Sequence, residues 1–211
     1  MALNMRKPFS QVPCLRGPRI TLRGLELRDA ASLQELAGSP RVYRYLPTFL
    51  FEQKYDSAEE VIRRLYTECL QESLILGIFL GEDFCGLAEM YGFRDPLHKI
   101  SIGYRLLERY WGQGIASEAL GLMVSYLCDE TDIEIITAST MIGNRASAQV
   151  LRNNDFTLVA HDVDEDWGYE TPTRTDKWIR EDKDKLDLRS DDQHVTEHPD
   201  GSDLTTLIRQ E

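Results

Sequence analysis

The stretch Lys99 to Leu120, KISIGYRLLERYWGQGIASEAL, constrains the fold more than any other part of the chain. Ile100, Ile102 and Tyr104 alternate with Ser101, Gly103 and Arg105, the period of two of a half-buried strand. Beyond a turn, Ile115, Ala119, Leu122, Met123 and Tyr126 recur at helical spacing. Between the two, Gly112-Gln113-Gly114 carries little side-chain bulk, so backbone N–H groups at the helix start can close on an anion. Unpaired donors and the helix dipole both favour negative charge there. The stretch therefore predicts a phosphate-binding turn and is expected to hold the active centre.

Composition narrows the class of partner. The 211 residues, 42% hydrophobic, suit one sizeable domain plus a tail. A formal charge of −12 and a pI near 4.8 argue against nucleic acid, whose backbone is bound by clustered Lys and Arg. A cationic or amine-bearing partner fits better. Cys14, Cys69, Cys85 and Cys128 show no metal-ligand or redox spacing, so no metal is expected and the thiols are read as reduced. The N-terminal MALNMRKPFSQVPC lacks the apolar run of a signal peptide, and nothing approaches the ~18 apolar residues of a membrane span. The expectation is a cytoplasmic protein with no membrane partner.

Taken in order, residues 1–17 read as a loose arm, 18–180 as the folded domain and 181–211 as an acidic, disordered tail. The tail holds ten acids against four bases, half of the net charge. Within the domain, Arg19 to Arg23 alternates as a strand, and Asp29 reads as the N-cap of a helix bearing Ala30, Leu33, Leu36 and Ala37. Ser57-Ala58-Glu59-Glu60 is a capping box that opens a second helix. The irregular segment from Arg41 to Asp56, with Tyr43, Tyr45, Phe49 and Phe51, reads as packing or as a wall of an acceptor pocket. Leu74 to Leu80 and Phe84 to Gly92 form a hairpin that precedes the organising strand; Ile133 to Met141 is a strand, and a helix starts at Gly143-Asn144. Phe156 to Val163 and Arg174 to Ile179 are the last strand candidates. The expected fold is α/β (α+β): a mixed, mostly antiparallel sheet of about seven strands with helices on both faces.

GYRLLERYWGQGIASEAL, followed by Asn144-Arg145-Ala146-Ser147 and Val150-Leu151-Arg152-Asn153-Asn154-Asp155-Phe156, resembles the GNAT superfamily of acetyl-CoA-dependent N-acetyltransferases. The likeness is greatest to the RimJ/RimL type and runs from about Pro18 to Ile179, including the opening PRITLRGLELRDA. It implies a GNAT fold, acetyl-CoA as cofactor and an amine-bearing acceptor: a protein N-terminus, an aminoglycoside or a polyamine. A homodimer stays open. The family's pyrophosphate loop falls on Trp111-Gly112-Gln113-Gly114-Ile115-Ala116, with Trp111 in place of the family's Gln or Arg. The resemblance implies that amides of Gln113, Gly114, Ile115, Ala116 and Ser117 hold the pyrophosphate, with Gly112 shaping the turn. It also implies that the backbone of Tyr104 to Leu107, including Leu106, pairs with pantetheine, and that Asn144 binds cofactor while capping a helix.

The reaction needs a neutral amine, a stabilised oxyanion and a proton for the leaving thiolate. The Tyr with which many family members protonate that thiolate is replaced by Leu151. Ser147 is the candidate donor implied by the RimL-like members, and equally a first-turn capping residue. A Glu common on the organising strand is replaced by Ser101; a second family position, ten residues after Phe156, falls on Asp166, the candidate catalytic carboxylate, inside Asp162-Val163-Asp164-Glu165-Asp166, a cluster of which one carboxylate could relay a proton through water. Glu89 and His98 are further titratable candidates. Two readings remain: an N-acetyltransferase that acts by direct attack on the thioester, and a non-catalytic CoA-binding or protein-interaction module of the same fold.

Overall fold

The computed structural model describes residues 11–46, 55–68, 73–94, 97–167 and 170–186. Cys69, the aromatic Phe49 and Phe51, Asp95-Pro96, and the acidic stretch after 186 lie outside them. Eight strands form one sheet: β1 (Leu15–Arg16), β2 (Ile20–Arg23), β3 (Ser73–Leu80), β4 (Asp83–Arg94), β5 (Lys99–Leu106), β6 (Ile135–Met141), β7 (Thr157–Glu165) and β8 (Thr173–Glu181). Their order is β1-β2-β3-β4-β5-β6-β8-β7. Neighbours are antiparallel except β5 and β6, which are parallel. The mixed, mostly antiparallel sheet read from the sequence is present, with one strand more than expected.

Among the described residues, four helices of eight or more residues cover it on two faces. Helices α3 (Ile115–Glu130) and α4 (Arg145–Arg152) bury Ile115, Ala119, Leu120, Met123, Leu127 and Leu151 against Leu74, Leu76, Ile100 and Ile102. Helices α1 (Ala30–Ala37) and α2 (Ala58–Glu68) bury Leu33, Leu36, Val61, Ile62 and Leu65 with Ile75, Phe79 and Leu87 in a second cluster. Strands β3 and β4 contribute to both, which is why Leu74 to Leu80 reads as an unbroken apolar run. The serine half of the capping box forms as spaced: the Glu60 amide donates to Ser57 Oγ at 3.2 Å.

Three expectations are corrected. The arm does not stay outside the sheet: Leu15 and Arg16 pair with Leu22 and Thr21, a strand too short to show any periodicity. Asp29 is the N-cap residue of α1 by position, but its side chain makes no cap hydrogen bond to that helix. Its buried carboxylate instead accepts from the Arg23 guanidinium at 2.8 and 3.1 Å and from the Glu26 amide at 2.8 Å. The ordered chain also runs past 180. Asp182 donates its amide to the Glu134 carbonyl at 2.8 Å, and Lys185 Nζ reaches the Thr131 and Ile133 carbonyls at 2.8 and 3.1 Å. A cation at those carbonyls sits just past the C-terminus of α3, where the helix dipole favours it.

The β4–β5 ladder leaves no room at Gly86. A Cβ there would lie 2.0 Å from the Arg105 carbonyl oxygen, whereas one at Gly103 would meet only Tyr91 at 3.7 Å. Gly86→Ala is therefore expected to destabilise the fold by about 2 kcal/mol, as overpacking does, and Gly103→Ala to change it by less than about 0.5 kcal/mol. Urea unfolding of both variants checks this; equal losses would disprove the steric account.

Candidate active site

The parallel pairing of β5 with β6 covers only Lys99, Ile100 and Ser101 opposite Ile135, Ile136 and Thr137. Both strands continue, β5 to Leu106 and β6 to Met141, but they diverge into a V that opens toward their C-terminal ends. Each remains paired on its outer side, β5 with β4 and β6 with β8. At the apex Ser101 Oγ lies 2.9 Å from Thr137 Oγ1, so the residue that replaces a carboxylate clips the two strands together.

Backbone polarity along the open side follows from the β4 ladder. Leu107 donates its amide to the Cys85 carbonyl at 2.9 Å. Bonded and non-bonded pairs alternate along an antiparallel ladder, so Arg105 and Gly103 face β4 while Leu106, Tyr104 and Ile102 turn their N–H and C=O groups into the V. Leu107 is thereby corrected. With its amide on Cys85 and its carbonyl accepting from Tyr110 N–H at 2.9 Å, it is turned away from the open edge. Trp111 alters the edge as well, because its Nε1 donates to the Leu106 carbonyl at 2.8 Å. The rung Ser101↔Thr137 takes the Ile102 amide, so the open groups are the Ile102 carbonyl, those of Tyr104 and the Leu106 amide.

Immediately beyond, the glycine turn adopts the conformation that its composition allows. Gly112 and Gly114 have φ of 70° and 77°, Gly114 being the N-cap residue of α3. Side chains other than glycine are strained at such angles. The Glu118 amide donates to the Gly114 carbonyl at 3.0 Å, the first bond of the helix, so the amides before it lie at the exposed start of α3. Gln113 braces the turn from within through Nε2 to the Arg109 carbonyl at 2.6 Å.

The turn is also held from β2. Arg19 donates Nη1 to the Gln113 carbonyl at 3.0 Å and Nε to Glu118 Oε2 at 2.7 Å, while the Arg19 and Ile20 amides donate to Glu118 Oε1 at 2.8 and 3.1 Å. Burial raises the affinity of the Glu118 carboxyl for its proton, but the two amides and the guanidinium outweigh it and hold the carboxyl below its usual range. Ser117 is occupied too, its Oγ and carbonyl oxygen accepting from Asn154 Nδ2 at 3.1 and 3.2 Å.

On the far side of the V, Asn144 is the N-cap of α4, its Oδ1 accepting from the Ser147 amide at 3.3 Å. Ser147 Oγ lies 2.9 Å from the Tyr104 hydroxyl. Leu151, where the acid of other members would stand, is core, 1% exposed.

The carboxylate candidates separate. His98 lies just before the closed end of β5, with Nδ1 2.8 Å from the Asp132 carbonyl oxygen, and is not brought to the mouth of the V. Glu89 stands opposite Gly103 with Oε2 3.6 Å from Arg105 Nη1, both side chains largely buried. Asp166 is exposed just after β7. Its neighbour Glu165, which the residue count missed, accepts from Thr175 Oγ1 at 2.9 Å and Ser139 Oγ at 3.3 Å and pairs with Lys177 Nζ at 2.6 Å. Register shifts between Leu158 and Ala160 and between Ala160 and Val163 insert extra residues into β7, so counting from Phe156 does not fix the position.

A sheet split after three residue pairs, with a left-handed glycine turn opening a helix beside the split, defines the class. The chain matches the family description "Acetyltransferase (GNAT) domain" over residues 19–157, and it belongs to the GNAT acetyltransferases. Among its relatives is the "Probable N-acetyltransferase YjcK" of Bacillus subtilis, 30% identical over 149 residues, or 67% of this chain and 82% of that one. The fold is shared with RimL, the ribosomal L7/L12 α-N-protein acetyltransferase, solved in complex with coenzyme A (TM-score 0.68, 20% identity, 80% of this chain and 98% of that one). It is shared also with the spermidine N-acetyltransferase of Vibrio cholerae, solved with CoA and spermine (TM-score 0.65, 16% identity, 81% of this chain and 99% of that one). Among the described residues no helix is long and apolar enough to cross a membrane.

Because the folded-state carboxyl of Glu118 is depressed, its contribution to stability is present above the ordinary carboxylate pKa, about 4.3, and is lost as pH falls through the lower folded-state value. Thermal melts of wild type and Glu118→Gln should therefore differ at neutral pH and converge below about pH 4; a gap that persists in acid would refute the assignment.

Proposed function

We propose that the chain transfers an acetyl group from acetyl-CoA to a primary amine, on a protein N-terminus or on a small molecule such as an aminoglycoside or polyamine. The observation that carries this is the continuity of the open β5 edge with the glycine turn at the start of α3. An extended, amide-bearing chain that ends in a pyrophosphate matches the two in sequence: backbone groups in the V for the former, helix-start amides for the latter. Gln113, Gly114, Ile115, Ala116 and Ser117 would hold the pyrophosphate, with Gly112 setting the turn; Ile102, Tyr104 and Leu106 would pair with the pantetheine amides, and Asn144 would border the same slot. The catalytic unit is the 18–180 domain together with β1 and the segment through Lys185 that packs on it, in a cytoplasmic setting.

Bound, acetyl-CoA supplies a thioester carbonyl for the amine and a thiolate leaving group. Ser147 Oγ is the donor placed across the opening from Tyr104. Asp166 is the carboxylate that orients water or receives the amine's proton, and Glu165, whose geometry is described above, is the competing assignment. The face bearing Glu165, Lys177, Thr175, Ser139 and Glu89 is where an acceptor amine would be received. Most of the work is positioning, since an amine delivered neutral and in line needs little further activation.

Acetyl-CoA is expected to raise the melting temperature, and a bulky side chain at Gly114, as in Gly114→Val, to abolish that rise with the fold retained. A screen of N-terminal peptides, aminoglycosides and polyamines, followed by thiol release, then identifies the acceptor. Ser147→Ala and the carboxylate variant that matters, Asp166→Asn or Glu165→Gln, should each lower kcat by about 10²-fold. Cofactor binding with no thiol release against any amine would favour the non-catalytic reading, and no stabilisation by acetyl-CoA would sink both.

A further inference from the structure

Tyr104 lies on β5 beyond its last pair with β6, whereas Ser147 lies in the first turn of α4, which follows β6. Their side chains therefore meet across the V. The Tyr104 hydroxyl is 2.9 Å from Ser147 Oγ and 3.4 Å from the Ser147 carbonyl oxygen. The ring packs against the main core, so the hydroxyl is presented by a side chain with only two torsions, both held by packing. Burial pushes the phenol up to about 12, a rise that the bond to Ser147 moderates, and it keeps its proton throughout the neutral range. Ser147 is pinned from the other end by its amide bond to Asn144 Oδ1.

We infer that Tyr104 is a positioning residue for Ser147: its hydroxyl fixes Ser147 Oγ at the mouth of the V and steadies that oxygen while its proton is given up. The inference rests on the acetyl-transfer reading above. As the bond from amine nitrogen to carbonyl carbon forms and the carbon–sulfur bond breaks, the electron pair goes to sulfur. Ser147 Oγ–H supplies the sulfur with a proton, and the Tyr104 O–H donates to the serine oxygen. The surplus ammonium proton of the acceptor returns to Ser147 through water. Leu151, buried in the core, offers no acid of its own, and the phenol of β5 acts through the Ser147 hydroxyl.

The test needs no acceptor. CoA itself is the probe, and the readout is the ultraviolet absorbance of its thiolate as bound CoA is titrated with pH, alongside its affinity, for wild type, Tyr104→Phe, Ser147→Ala and the double variant. A hydroxyl donor at the sulfur lowers the pH at which the bound thiol ionises relative to free CoA. Tyr104→Phe, which keeps the ring and its packing, should raise that midpoint by about one pH unit, a tenfold change in the ionisation equilibrium. Ser147→Ala should raise it by at least as much, and the double variant by no more than Ser147→Ala alone, because Tyr104 acts through the serine. An unmoved midpoint in either single variant overturns the inference, as does weaker CoA binding without a shift, the mark of a packing role. An equal Tyr104 effect in the Ser147→Ala background also overturns it. Failure of wild type to bind CoA overturns the acetyl-transfer reading and this inference together.

Discussion

Backbone hydrogen bonding that stops short sets up everything else in the site. Two parallel strands pair for three residues and then part, although each runs on for several more. A backbone amide or carbonyl withdrawn from water without a partner costs about 1–3 kcal/mol, so a sheet that opens within its own interior must be held open by its outer pairings. That is the arrangement found. β4 fixes β5 along most of its length and β8 fixes every residue of β6, and the divergence is absorbed between them. The strain is local and the polar groups exposed by it are the useful ones.

The second half of the site depends on a charge network of a different kind. Glu118 gathers two amides and a guanidinium from the start of β2, and the same Arg19 reaches back to the carbonyl of Gln113. A carboxylate in the first turn of α3 already complements the helix dipole. By also tying that turn to a strand at the other side of the sheet, it leaves the amides at the tip of the turn as the part without a counter-charge. The phosphate-binding end of the helix is thus shaped by an acid that is fully engaged elsewhere.

The helices and most of the strands were legible because their apolar faces are long enough to establish a period: Leu33 and Leu36, Val61 to Leu65, Ile115 to Leu127 and the run from Leu74 to Leu80 all lie where the pattern puts them. The glycine turn was legible because Gly112 and Gly114 have no common substitute at positive φ. What escaped the sequence depends on single contacts. Two residues of β1 carry no period, and Asp29 has the right identity and place for a cap but is claimed by Arg23. Leu107 looks like the next residue of an open edge until the Cys85 carbonyl takes its amide, and the bulges in β7 leave a count from Phe156 unable to choose between Asp166 and Glu165. The sequence marks Tyr104 only through its main chain, since nothing in a linear string tells that a phenol on one strand will meet a serine more than forty residues on.

The clip between Ser101 and Thr137 has a mechanical consequence. The sheet behaves as two leaves bound along a spine of three residue pairs, one leaf running from β1 to β5 and the other from β6 to β7. Where bonds across a structure are few, its softest coordinate lies there, so rotation of one leaf about the spine is the least resisted deformation of the sheet. The lever arm of that rotation is the length of strand beyond the spine. A tilt too small to disturb the clip is magnified at the far end, and the spacing at the mouth becomes the quantity that a ligand reports on most sensitively.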